Sequence, residues 1–242
     1  MILLILKLIL AHLIGDFFLQ PQKWVNAKEK KKLKSVWLYV HVAVHVGLMF
    51  LIAWNLSYTI TIITIGLSHF IIDALKLILQ RKKTKRLFFF IDQLLHFIAI
   101  FVITYLFYDL LLHNDYTFSL KLNGHHLLLL LCIAFLTKPT SIVMKTIVSK
   151  WNISKLTKDN ASLKDAGKYI GILERLLVFT FITAGQWEAV GFLLTAKSVF
   201  RFGDLTASKE RKLTEYILIG TLLSFGIAIL ISLLYLNLKN YV

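Results

Sequence analysis

Cysteine is almost missing: Cys132 stands alone in 242 residues. An intramolecular disulfide and any thiolate metal cluster are excluded by that count. Proline is nearly as rare, with only Pro21 and Pro139, so few helices need be interrupted. Negative charge is scarce too, 13 Asp and Glu against 28 Lys and Arg, for a formal net charge of +15. No alternating polar and apolar run is long enough for a barrel. What fills the chain is hydrocarbon. Hydrophobic residues make up 57% of it and the mean hydropathy is +0.72, too apolar for a soluble domain of this length and typical of the membrane class.

The excess of positive charge does not point to nucleic acid. Lys and Arg sit in short runs between apolar segments: "KEKKKLK" at 28–34, "RKKTKR" at 81–86, "KWNISKLTK" at 150–158 and "KERK" at 209–212. Such runs mark cytoplasmic loops under the positive-inside rule, and they attract anionic headgroups as a by-product. The apolar stretches predict helices at about 2–20, 36–55, 58–79, 87–110, 126–148, 168–184, 187–202 and 213–237. The expected fold is an all-α integral membrane protein, a polytopic bundle of roughly seven or eight helices. Basic loops follow the first, third, fifth and seventh helices, which puts both termini outside and the basic loops in the cytoplasm. The first helix lacks a basic start and a small-residue cleavage site, so it reads as a retained span rather than a signal peptide. The sixth and seventh segments are short and could form a re-entrant pair. The loop at 149–167 divides a front bundle, 1–148, from a back three-helix segment, 168–242.

Against this apolar background, four pairs of polar residues share one spacing. They are His12 and Asp16, His41 and His45, His69 and Asp73, and Asp92 and His96. Residues four apart project from one face of a helix, one turn above the other. Each of the first four helices supplies one pair, near the end that the charge pattern makes cytoplasmic. At 1.5 Å rise per residue every pair falls roughly 6–16 Å below that end. Inward-facing His and carboxylate groups from four helices are how bundle metal sites are built. Imidazole with carboxylate suits a divalent cation, zinc first, with manganese or iron as alternatives. Eight potential ligands exceed one tetrahedral shell, so two ions, or one ion with orienting carboxylates, would use them. A proton relay and a purely structural His and Asp network are the competing readings, because intramembrane ionisable groups are costly in any role.

Other polar residues border this layer. Gln20 and Gln93 adjoin it, and Lys76 follows Asp73 at the i+3 position, where it either snorkels to the interface or binds a substrate phosphate. In the back segment Glu174, Arg175, Lys197 and Arg201 fall near the cytoplasmic helix ends. Arg175, Lys197 and Arg201 are candidates for binding an anionic substrate. The alternative is an internal pair such as Glu174 with Lys197. Gly167, Gly171, Gly185 and Gly191 suggest close helix contact. His113, His125 and His126 read as surface residues, and the sequons "NIS" and "NAS" fall in a loop assigned to the cytoplasm.

The segments "HLIGDFFLQ", "HVAVH", "SHFIID", "DQLLH", "GILERLL", "GQWEAVGFLLTAKSVFRFGD" and "EYILIGTLLSF" resemble a bacterial integral-membrane family without an assigned function. The front half is also similar, in motif style, to bacterial inner-membrane metal-dependent hydrolases. That resemblance implies a multi-pass protein of the bacterial inner membrane. The expected function is a metal-dependent hydrolase of a lipid or lipid-linked substrate near the cytoplasmic leaflet, with no nucleic-acid partner and with self-association as an open alternative. Asp16, Asp73 and Asp92 are the catalytic candidates, and all eight residues of the four pairs are candidate ligands. The other readings are a metal-ion or proton transporter, a scaffold with a structural metal, and an oxidative di-iron enzyme.

Overall fold

The computed structural model describes residues 1–107, 123–151, 165–199 and 208–242. Among them the helices are α1 (Ile2–Leu13), α2 (Gln22–Lys31), α3 (Val36–Ala53), α4 (Thr59–Leu79), α5 (Lys85–Leu106), α6 (Gly124–Leu136), α7 (Lys138–Val148), α8 (Ala166–Thr183), α9 (Trp187–Val199) and α10 (Ser208–Leu238). The all-helical expectation holds for the described residues. Five helical stretches are long and apolar enough to cross a membrane: Val36–Ala53, Leu56–Leu79, Lys85–Leu106, Gly124–Val148 and Leu213–Leu238. A sixth is reached if Ile2–Phe18 and Gln22–Lys34, bent by 84°, count as one span. The expected sixth and seventh spans form as helices α8 and α9 without joining that set. Lys168, Glu174 and Arg175 charge α8, and the 13 residues of α9 extend about 20 Å, short of a hydrocarbon core about 30 Å thick.

The chain divides into two compact units, Met1–Leu131 with Val242, and Cys132–Tyr241. In the first, α1 packs on α3 and α5, α3 on α4, and α4 on α5. This is a closed ring of four helices in up-down order. Gly66 lets α3 and α4 approach, since a Cβ there would lie 2.5 Å from Val46 Cγ2. The stretch 21–34, expected as a basic loop, is largely helical. Pro21 sits at φ −66° and ψ 150°, extended and unable to continue the preceding helix, and α2 starts there at a sharp angle to α1. It crosses the end of the ring: Trp24 stacks on Trp37 with ring centroids 4.8 Å apart, and Glu29 pairs with Lys85 at 2.5 Å.

In the second unit, α10 packs on α7 and α8, and α8 on α7 and α9. The other proline, Pro139, coincides with the break between α6 and α7 at Thr137. A proline has no N–H to give the preceding turn, and in an apolar medium freed carbonyls need internal donors. Thr140 Oγ1 donates to Phe135 O at 2.6 Å. Arg175 Nε donates to Leu136 O at 2.7 Å, and Nη2 to Thr137 O at 3.3 Å. The same guanidinium reaches Ser141 Oγ at 2.8 Å and Ser224 Oγ at 3.1 Å. Arg175, expected as a substrate ligand, is thus a buried staple across a helix break. Lys197 donates to Glu174 Oε2 at 2.6 Å, so it takes the ion-pair alternative. Arg201, His113 and both sequons lie outside the described residues. Of the glycines expected at close contacts, Gly167, Gly185 and Gly191 have nothing within 4 Å of a built Cβ, and Gly171 meets only Arg175 Nη1 at 3.2 Å.

Replacing Arg175 with Met removes these donors and leaves broken-helix carbonyls unpaired. The expected loss is about 2–4 kcal/mol, read by thermal or denaturant unfolding in detergent; an unchanged midpoint would show that the carbonyls find other donors.

Candidate metal centre

The four pairs come from the four helices of the ring. Because α1 and α4 run toward α2 while α3 and α5 run away, their side chains fall in two layers. His12, His45, His69 and His96 form the inner layer. Their ring centroids are 4.0 Å apart for His45 and His69, 4.1 Å for His69 and His96, and 5.0 Å for His12 and His96. Asp16, His41, Asp73 and Asp92 form the outer layer, nearer α2. One turn beyond the inner layer, on the other side, lie Leu8, Met49, Ile65 and Ile100, each at most 2% exposed. Each sits four residues from its helix's inner histidine.

Two local features aim the groups. Between His12 and Asp16 the helix widens into a π turn, Ile14–Phe18, with Leu19 N–H bonded to Ile14 O at 2.9 Å. Single π turns concentrate at functional sites. Within it, Gly15 leaves room for an imidazole: a Cβ there would lie 2.5 Å from both Cε1 and Nε2 of His45. Only a bare backbone lets that ring reach Asp16.

Asp16 is the hub. Its Oδ1 lies 3.1 Å from His41 Nε2, 3.1 Å from His45 Nε2 and 4.0 Å from His69 Nε2. His41 Nε2 and His69 Nε2 are 3.2 Å apart. A tetrahedral ion with bonds near 2.1 Å separates its ligand atoms by about 3.4 Å, and these spacings scatter around that value. Asp16, His41, His45 and His69 can therefore offer four ligand atoms to one ion. A second group, His69, Asp73 and His96, shares His69 with the first. His12 and Asp92 stand outside both groups. His12 Nε2 is 3.6 Å from Asp16 Oδ2, and the Asp92 carboxylate turns to Lys76.

A buried hydrogen-bond network alone does not account for every nitrogen. His96 Nδ1 donates to the Asp92 carbonyl at 2.8 Å, which leaves its Nε2 as the lone-pair atom. That atom is buried without a partner. A histidine whose far nitrogen is fixed by a backbone carbonyl is the usual form of an imidazole ligand. His12 Nε2 and His45 Nδ1 are also buried without a hydrogen-bond partner.

Two of the three carboxylates are met by lysines. Lys28 Nζ donates to Asp73 Oδ2 at 2.8 Å, and Lys76 Nζ to Asp92 Oδ2 at 2.7 Å. Lys76 thus ends on a carboxylate rather than snorkelling away. Gln93 Nε2 donates to Asp16 Oδ2 at 2.7 Å, and Gln20 Nε2 reaches His41 Nδ1 at 2.9 Å. Lys28, only 6% exposed, was hidden in a basic run that reads as a solvated loop. The signal was there in Pro21 followed by Trp24 and Lys28, one turn apart on a helix of good formers. Lys7 was missed as well; it donates to Ala53 O at 3.2 Å at the end of α3.

Residues 4–123 match the family DUF3307, described as a protein of unknown function. No curated protein and no solved structure matches the chain. The DUF3307 segment contains all four pairs, both lysines and Gly15, so the candidate centre is built wholly within it. The resemblance to a family without an assigned function is borne out over that segment.

Two outcomes follow for stability. Gly15→Ala forces His45 off Asp16 and costs about 1–3 kcal/mol by overpacking, measured by unfolding in detergent. Lys28→Met leaves buried Asp73 without its ammonium partner, with only His41 Nε2 at 3.7 Å, and costs about 3–5 kcal/mol. The double variant Lys28→Met, Asp73→Asn recovers most of that loss, and additivity of the two single changes would argue against the pair.

Proposed function

We propose that the protein is a metal-dependent hydrolase acting on a lipid or lipid-linked substrate at the cytoplasmic leaflet of a bacterial inner membrane. The observation that carries this reading is the convergence of Asp16 Oδ1 with the Nε2 atoms of His41, His45 and His69 around one ion-sized space. A divalent cation bound there, zinc first with manganese or iron as alternatives, would polarise a carbonyl or phosphoryl oxygen and lower the pKa of a bound water toward about 7. Asp16, His41, His45 and His69 would hold it, and His96 with Asp73 would extend the site toward a second ion. Asp92 lies outside both ligand groups and keeps Oδ1 without a hydrogen-bond partner. It is the carboxylate suited to take the proton of the attacking water. Water then adds its oxygen to the acyl or phosphoryl centre, the C–O or P–O ester bond breaks, and the proton passes to the departing oxygen.

The apolar layer of Leu8, Met49, Ile65 and Ile100 favours a resident site over a transit site. It covers the face of the histidine layer away from α2, where a conduit would need polar groups. The nearness of the layer to the basic end of the ring supports access from the headgroup region, where lipid esters and phosphates lie.

Elemental mass spectrometry on detergent-purified protein tests the centre. The expected result is about one divalent ion per chain, lost in a His41→Ala, His69→Ala double variant and on chelation, together with loss of lipid cleavage. Protein that holds metal while His69→Ala leaves cleavage unchanged would sink the mechanism.

A further inference from the structure

Lys28 and Lys76 have more donor capacity than their partners use. Each ammonium carries three N–H donors, yet each meets one acceptor among the described residues, Asp73 Oδ2 and Asp92 Oδ2 respectively. Lys28 reaches the centre from α2, outside the ring, and Lys76 from α4, one turn past Asp73. Lys28 is buried, so its remaining donors are shut off from bulk water at a place where unspent polar groups are costly. Three carboxylates and two ammonium groups leave the layer with one negative charge. A divalent cation, on the reading proposed above, reverses that to one positive charge. A buried excess of positive charge in low dielectric calls for an anion.

We propose that Lys28 and Lys76 form an oxyanion subsite beside the metal centre, and that the group it takes is phosphoryl. This rests on the metal reading. Four unspent N–H donors from two directions suit an anion with three or more oxygens better than the two oxygens of a carboxylate. Lysine binds phosphate as a point charge without a fixed planar fork. Exposed Lys30, Lys31, Lys82, Lys83 and Arg86 surround the same end of the ring and draw anions toward it. The bound group is then a phosphoryl oxyanion rather than a neutral acyl ester, supplied by the phosphate ester of a lipid headgroup or by free phosphate.

The test is equilibrium dialysis of inorganic phosphate against the full chain in detergent, with metal content measured on the same samples. Short-chain phosphatidic acid and the matching phosphate-free diacylglycerol serve as competitors. The variants are Lys28→Met with Asp73→Asn, Lys76→Met with Asp92→Asn, and the charge-keeping Lys28→Arg and Lys76→Arg. Each Met and Asn pair is expected to weaken phosphate binding about tenfold or more while the ion at Asp16, His41, His45 and His69 is retained, and each Arg variant to keep most of it. Competition by phosphatidic acid but not by diacylglycerol assigns the phosphate to a lipid; no competition by either assigns it to free phosphate. Phosphate binding unchanged in both Met and Asn pairs, or absent from metal-loaded protein, overturns the subsite. Lysine-dependent phosphate binding by protein that takes up no metal supports the subsite and overturns the metal reading instead.

Discussion

The energetic problem around which the front of the chain is organised is the burial of three carboxylates among apolar helices. Uncompensated, each would be prohibitive in a medium that cannot solvate it. The compensation is specific. Lys28 meets Asp73 and Lys76 meets Asp92, while Asp16 gathers His41, His45 and Gln93. The first of these pairs spans 45 residues and explains why the chain turns back after Pro21. Without α2 lying across the end of the ring, Asp73 would lose its nearest cation.

That constraint also orders the layers. The innermost is apolar, the next is four histidines, and the next mixes three carboxylates with His41. Beyond it come amides and ammonium groups. From the apolar layer toward α2 polarity rises step by step, while on its other side Lys7 is met by the Ala53 carbonyl. Gly15 and the π turn around it are the local cost of this order: a weakened stretch of helix in exchange for the contact between His45 and Asp16. A π turn and a glycine fitted against an imidazole mark the polar cluster inside an otherwise regular bundle.

The second unit follows the same rule with other means. Pro139 interrupts a long apolar helix, and the carbonyls it frees are met by Thr140 and Arg175. A buried guanidinium there is a packing element with a fixed fork of donors. Arg175 and Lys197 show how a charged residue on an apolar helix can read equally well as a ligand or as a brace, because the choice depends on which carbonyl or carboxylate lies opposite.

Much of the fold and of the centre was legible in the residues. Hydrophobic runs predicted the long helices because burial in hydrocarbon needs only local composition. The spacing of His12 to Asp16, His41 to His45, His69 to Asp73 and Asp92 to His96 named the eight side chains of the cluster, because helical periodicity fixes which residues share a face. The tertiary structure alone decided the rest. It chose which atoms converge, left His12 and Asp92 outside the ligand groups, turned a basic run into α2, and paired Lys28 with a carboxylate. It also moved the close-contact glycines from the back of the chain to Gly15 and Gly66. The physical reason is range. A helix face is a property of neighbours in the chain, whereas an ion pair across two helices, a carbonyl freed by a proline or a ring fitted against bare backbone depends on what the path of the chain brings alongside.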